Sequence, residues 1–209
     1  MQRILLAVLI TSLGATATAQ AQRPGAVQPP ARLMIGGHSV AALGTSVGTG
    51  APDDIKTSTG LGGGVQVGYL ISHRLMAYAG FDVAKQPIDV FGFEGDFGLT
   101  HLEAGARLSF PIRKSKLLPY VGGWVGHRSM NSTVDLVDGT QADISVSGMA
   151  VGANGGVQYF VSPKVALDGG LSIGIGKMEN YKFAGQQQPV PSFNNTTTTR
   201  LQFGANWYP

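Results

Sequence analysis

His101-Leu102-Glu103-Ala104-Gly105-Ala106-Arg107-Leu108-Ser109-Phe110 alternates without a break. Leu102, Ala104, Ala106, Leu108 and Phe110 fall on one side of an extended chain, and His101, Glu103, Gly105, Arg107 and Ser109 on the other. The same period of two sets Leu61, Val65, Val67, Tyr69 and Ile71 against Gly62, Gly64, Gln66 and Gly68. It also sets Val165, Leu167, Leu171, Ile173 and Ile175 against Asp168, Ser172, Gly174 and Gly176. One face of each strand is apolar and the other is polar or bare.

Working outward, eight such segments are expected: Arg32 to Leu43, Thr59 to Ile71, Leu75 to Lys85, Phe97 to Phe110, Leu117 to Met130, Ile144 to Phe160, Val165 to Met178 and Thr196 to Tyr208. Each has about the length of a tilted membrane strand, ~9–11 residues or somewhat more. Alternation alone also suits a soluble barrel or sandwich with its apolar face inward. The connections discriminate between the two. Short links at Ser72–Arg74, Pro111–Lys116 and Val161–Lys164 alternate with long ones at Gly44–Ser58, Gln86–Asp96, Asn131–Asp143 and Glu179–Asn195. Short turns at one end and long loops at the other characterise membrane barrels. The expected fold is therefore all-β, an eight-stranded antiparallel up-and-down transmembrane β-barrel with both ends of the mature chain on the short-turn, periplasmic side. Tyr69, Phe110, Tyr120, Tyr159, Phe160, Trp207 and Tyr208 cluster near that end and are expected to form an interfacial girdle. The turns are basic (Arg74, Arg113, Lys114, Lys116, Lys164), whereas Asp53, Asp54, Asp89, Glu94, Asp96, Asp135, Asp138 and Asp143 lie in the long links.

Composition agrees with this picture. Charged residues make up 13% of the chain against 43% apolar, poor in charge for a protein in water, and the 31 glycines follow no collagen-like period. A net charge of +3 argues for no nucleic-acid partner. The absence of cysteine excludes disulfides, a thiolate metal site and a lipidated N-terminal cysteine. Arg3, the apolar run Ile4–Leu13 and small residues around Ala17–Ala21 read as a secretory signal peptide, residues 1–21, with cleavage after Ala21 or Ala19. Pro24, Pro29 and Pro30 make residues 22–31 a proline-rich leader arm, since each proline lacks an N–H for a sheet. Residues 32–209 are the expected barrel.

In the last segment Leu201, Phe203, Ala205 and Trp207 alternate with Gln202, Gly204 and Asn206, and the segment ends in Trp207-Tyr208 before Pro209. This resembles the C-terminal signal of outer-membrane barrels. Together with Pro119-Tyr120-Val121-Gly122-Gly123, the chain resembles the small outer-membrane β-barrel superfamily of OmpA-type and OmpX-type proteins over its mature length. The resemblance implies a bacterial outer-membrane location, contact with membrane lipids, and recognition of Leu201, Phe203, Trp207 and Tyr208 by the barrel-insertion machinery. With the chain ending at Pro209, the peptidoglycan-binding domain that follows the barrel in OmpA-type proteins is not expected.

If the apolar face meets lipid, parity turns His38, Gln66, Tyr78, Asp82, His101, Glu103, Arg107, Arg128, Asn154, Gln158, Asp168, Arg200, Gln202 and Asn206 inward. Their three carboxylates and three guanidiniums are expected to neutralise one another in a narrow, polar, side-chain-filled lumen. His101, Glu103 and Arg107 share a strand face, as an acid–base site, a gated ion path or lumen packing would require. No serine nucleophile accompanies them, and the four histidines lack metal-ligand spacing. No catalytic residue, cofactor or metal ligand is assigned. The glycine pairs Gly64/Gly68, Gly122/Gly126, Gly152/Gly156 and Gly170/Gly174 face inward, where missing side chains relieve crowding. Gly60–Gly64 lacks the strand–turn–helix setting of a phosphate loop. Phe91, Phe93, Phe97, Tyr181, Phe183 and Phe193 on the long links suit either the lipid interface or a partner. The expected function is non-enzymatic: a membrane body presenting four surface loops for adhesion, partner binding or envelope integrity. A narrow or gated pore, a lipid-modifying barrel enzyme and a soluble barrel for an apolar ligand stand as alternatives.

Overall fold

The computed structural model describes residues 29, 32–48, 55–56, 59–90, 93–135, 141–188 and 195–209. The signal peptide, most of the leader arm, Asp53, Asp54, Phe91, Asp138 and Phe193 lie outside them. Eight long strands follow in order: β1 (Leu33–Gly48), β2 (Gly60–Leu70), β3 (Leu75–Val90), β4 (Phe93–Ser109), β5 (Leu117–Asp135), β6 (Gln141–Ser162), β7 (Val165–Phe183) and β8 (Asn195–Trp207). Each pairs antiparallel with its sequence neighbour, and β8 pairs with both β7 and β1, so the sheet closes on itself. Two short pieces, Ile55–Lys56 and Gln186–Gln188, pair with β1 and β7 at the long-link end.

The register fixes the barrel's shape. One circuit along paired residues runs Leu75, Leu108, Val121, Gly155, Leu171, Leu201, Ala41, Leu61 and returns to β3 at Lys85, so the stagger from 75 to 85 is ten residues. Eight strands with this stagger tilt steeply and leave an interior that side chains fill.

The short turns owe their form to serine. The Ser72 hydroxyl accepts from the Leu75 N–H at 3.1 Å, Ser115 from Leu117 at 3.1 Å and Ser162 from Val165 at 3.1 Å. Each replaces a backbone partner where the ladder reverses. The middle turn also places Lys114 in the left-handed region, φ 57°.

Alternation holds around the barrel, with the apolar side outward. Leu61, Val65, Val67, Phe81, Val83, Leu102, Val121, Val151, Leu171, Ile173 and Phe203 are all exposed on the outer face. Along β7 this belt runs from Val165 to Ile175. Ten residues at ~3.3 Å each, tilted ~40°, give a height of about 25 Å.

Two expectations need correction. The strands outrun the expected segments at the long-link end. The link expected at Gln86–Asp96 is mostly paired, from Gln86 opposite Phe97 to Val90 opposite Phe93, and that at Asn131–Asp143 is paired from Asn131–Ser145 to Asp135–Gln141. Above the belt neither face of a ribbon has to be apolar, so the alternation that marks a strand fades while the backbone ladder continues. The other correction concerns the girdle. Tyr69, Phe110, Tyr159 and Trp207 are exposed, but Tyr120, Phe160 and Tyr208 are buried inside the barrel. Tyr120 shares the parity of Arg128, and Phe160 that of Gln158, so face and not depth decides their direction.

The interior is mostly polar, with two apolar layers set into it; towards the long links Gln86, Ser132, Thr196 and Thr198 are buried as well. At the short-turn end Met34, Met76, Leu118, Phe160, Ala166 and Tyr208 form an apolar layer with Leu70 against it. At the other end Ala42, Ala84, Leu99, Met130 and Met178 form a second layer, joined by Phe97 and Val146. Phe97, expected where the fourth segment meets the long link, thus packs against this layer.

Candidate functional site: the lumenal polar network

Between the two apolar layers the strands aim polar side chains at one another across the lumen. Nearest the short turns, Asp168 on β7 accepts three hydrogen bonds: from the Tyr120 hydroxyl at 2.9 Å, Gln158 Nε2 at 2.8 Å and Asn206 Nδ2 at 2.8 Å. Gln66 donates to Asn206 Oδ1 at 2.9 Å, and Tyr208 to Gln158 Oε1 at 2.9 Å. Neutral donors from β5, β6 and β8 therefore solvate this carboxylate in place of an arginine, with Gln66 on β2 holding Asn206 from behind.

Above it, Arg107 lies over the Tyr78 ring at 4.2 Å from the centroid and near the Tyr120 ring at 4.9 Å. Asn154 Nδ2 donates to the Tyr78 hydroxyl at 2.6 Å. No carboxylate comes within 4 Å of the Arg107 guanidinium among the described residues, and its Nε and Nη1 have no hydrogen-bond partner. Two electron-rich ring faces take the place of a counter-ion.

The charged centre lies higher. Arg200 on β8 bridges Asp82 on β3 and Glu103 on β4, its Nη2 donating to Glu103 Oε2 at 2.6 Å and its Nη1 to Asp82 Oδ2. His38 Nε2 lies 2.6 Å from Asp82 Oδ1, and Gln202 Nε2 donates to Asp82 Oδ2 at 3.4 Å. His101 Nδ1 is 3.4 Å from Glu103 Oε2 and 3.9 Å from Asp82 Oδ2. Ser172 accepts from Trp124 Nε1 at 2.9 Å and from Arg200 Nη2 at 3.2 Å. Arg128 stacks over Trp124 at 5.3 Å, with Nη1 and Nη2 buried and without a hydrogen-bond partner among the described residues.

All fourteen residues that parity turned inward face the lumen, and two groups of them touch. Asp82, His38, His101, Glu103, Arg200 and Gln202 form one, and Asp168, Gln158, Gln66 and Asn206 the other. Arg107 and Asn154 meet at Tyr78, while Arg128 stands apart from any carboxylate. The expected mutual neutralisation is thus corrected: of three guanidiniums, Arg200 alone contacts carboxylates among the described residues. Trp124, at the centre of the network, escaped notice in the sequence, although its even number in β5 matches that of Arg128. Tyr120 and Tyr208 join the network too, in place of the girdle expected for them.

Glycines make this packing fit. A methyl group on Gly152 or Gly174 would run into the Trp124 indole, and one on Gly156 or Gly170 would approach the Tyr120 hydroxyl to 2.6 or 2.7 Å. Large rings from β5 thus lie across bare stretches of β6 and β7.

Towards the short turns the network is closed. The crevice at the short-turn mouth, lined by Pro29, His73, Arg107 and Tyr208 among others, holds about 10 Å³, room for one water at most. Ser172, beside Arg200, accepts two donors and, among the described residues, makes no hydrogen bond to a histidine. The arrangement orients its own members, and Arg200 offsets the charge of Asp82 and Glu103.

A closed barrel that turns apolar side chains outward and buries charge within is a transmembrane β-barrel of the outer-membrane type. Residues 4–208 match the family model of the outer membrane protein beta-barrel domain, and the chain belongs to that family. The fold is also that of several solved structures. Neisserial surface protein A is 21% identical with a TM-score of 0.62, the match covering 85% of this chain and 97% of that one. OprG of Pseudomonas aeruginosa is 11% identical, TM-score 0.55, covering 86% and 96%. Ail, the attachment invasion locus protein of Yersinia pestis, solved with the heparin analogue sucrose octasulfate, is 14% identical, TM-score 0.51, covering 84% and 97%. No curated protein sequence matches the chain.

Proposed function

We propose that this is a non-enzymatic outer-membrane protein whose barrel serves as an anchor and whose long-link end binds a partner at the cell surface, for adhesion or envelope integrity. The observation that supports this reading is the contrast between the two parts. The lumen is filled by its own side chains between two apolar layers, whereas the β3–β4 and β5–β6 ribbons continue past the belt, the latter tied by Thr133 donating to Asp143 at 2.8 Å. A filled body with projecting ribbons suits display better than conduction. In the same reading residues 1–21 are a cleaved signal peptide, residues 22–31 a leader arm on the periplasmic side, and Leu201, Phe203, Trp207 and Tyr208 the segment read by the insertion machinery. Ail, seen with a heparin analogue, is a protein of this fold that carries a ligand.

The test combines topology and binding. Because the chain has no cysteine, single cysteines at Asp138 and at Lys114 report orientation. A membrane-impermeant maleimide on intact cells should label the first and not the second. Shortening the ribbons at 86–97 and 131–144 should leave the barrel inserted and abolish binding of the cells to host matrix or host cells. Unchanged binding by the shortened protein, or labelling at Lys114 alone, contradicts the proposal.

A further inference from the structure

The belt's outer face is free of charge over most of its height. On the described outward positions of β1, β2, β4 and β8 within the belt no Lys, Arg, His, Asp or Glu occurs. The exceptions are Lys85, His127 and Lys177, all exposed, all on the outer face and all at the edge towards the long links. Two of them are neighbours by register: His127 pairs with Met149 and Met149 with Lys177, so they flank one methionine across β5, β6 and β7. At the ~4.8 Å strand spacing their backbones stand about 10 Å apart. A long lysine side chain closes much of that gap.

Directly below this row, on the same three strands, lies an open crevice of about 340 Å³ whose lining includes Val125, Met149, Val151 and Ile175, with Lys177 and Glu179 at its rim. Among the described residues no carboxylate lies within ion-pair distance of Lys177. An unpaired ammonium at the edge of an apolar belt is stabilised where it meets the phosphate layer of the membrane. The apolar crevice beneath it continues towards the middle of the bilayer. Cation above and groove below match the two halves of one lipid.

We propose that the outer face of β5–β7 is a binding site for a phosphate-bearing membrane lipid, Lys177 and His127 donating to the headgroup phosphate and the Val125–Met149–Val151–Ile175 crevice taking an acyl chain. The site depends on the belt facing lipid and not on which leaflet the long links occupy, so it stands or falls apart from the surface-binding reading. Glu179 at the rim opposes the phosphate and weakens the site. Lys85, at the same belt edge on β3, serves as a charge-matched control because it neither lines the crevice nor, unlike His127, pairs in register with a residue that does.

The test is native mass spectrometry of the folded protein released from detergent with diphosphoryl lipid A, the dephosphorylated form of the same lipid, or inorganic phosphate. Each variant is first checked for its electrophoretic heat shift. The wild type is expected to retain diphosphoryl lipid A. Lys177→Gln should bind about fivefold more weakly, the effect of one basic residue at a membrane surface. His127→Gln should weaken binding in the same direction, Glu179→Gln should strengthen it and Lys85→Gln should leave it unchanged. Equal retention by Lys177→Gln and the wild type would overturn the proposal. So would an equal loss in Lys85→Gln, which would show a diffuse charge effect. Equal retention of the dephosphorylated lipid would remove the phosphate contact, and equally tight binding of inorganic phosphate would remove the lipid.

Discussion

Replacing Arg200 by methionine keeps much of the side chain's volume but strips Asp82 and Glu103 of the guanidinium that bridges them. Both carboxylates are about 95% buried. Both lie between the apolar layers around Phe160 and Met130, away from either mouth. Breaking a buried pair by removing one partner costs about 3–5 kcal/mol, most of it the penalty of the charge left behind. With an m-value of ~2 kcal/mol/M, the urea midpoint of the vesicle-inserted protein should fall by about 1.5–2.5 M. Electrophoretic mobility of unheated samples follows the folded fraction. The origin of the loss is tested by adding Asp82→Asn and Glu103→Gln to the same chain. Removing the stranded charges should recover at least half of the stability, since His38 and Gln202 still have an amide to contact. A loss below ~1 kcal/mol, the range of an exposed pair, would refute the idea that this centre is sealed from water. So would a triple variant no more stable than Arg200→Met.

The bare inner face of β6 makes a paired prediction. Gly152→Ala meets the Trp124 indole and should cost about 1–3 kcal/mol by overpacking, whereas Gly155→Ala, on the outer face with its nearest neighbour at 3.5 Å, should be neutral or slightly stabilising; urea titrations of both variants decide. Trp124→Phe removes the donor to Ser172 and should cost about 1 kcal/mol, measured the same way. Planar-bilayer recordings of the wild type and of Arg107→Ser should show no steady conductance, since both apolar layers remain in place; open-channel steps in either would restore a conducting lumen.

Much of this architecture is legible in the residues. Strand number, order and the inward set from His38 to Asn206 follow from a period of two, because in a thin-walled barrel each side chain has one choice, lipid or lumen. Legibility fails where that choice no longer governs. Past the belt the lipid no longer demands an apolar face, so Gln86–Val90, interrupted by Pro87 and Asp89, and Asn131–Asp135 carry too little apolar alternation to mark a strand and read as loops. Inside, parity gives direction but not partner. It placed Asp168 and Arg107 in one lumen, yet the first is bound by Tyr120, Gln158 and Asn206 and the second by tyrosine rings. Those pairings depend on the ten-residue stagger, which no single strand reveals. The girdle expectation for Tyr120, Phe160 and Tyr208 failed because aromatic type and nearness to a turn outweighed their even numbering. Trp124 was legible by the same parity.

The account's central claim is that the apolar face is outside and the polar face inside, and the chain's two tryptophans fall on opposite sides of it. Trp207 is 49% exposed on the belt and Trp124 is 5% exposed in the lumen. Single-tryptophan proteins, Trp124→Phe and Trp207→Phe, folded into vesicles of brominated lipid, separate the two by fluorescence. Strong quenching of Trp207 and little of Trp124 is the predicted result. Strong quenching of Trp124, or none of Trp207, would contradict the claim.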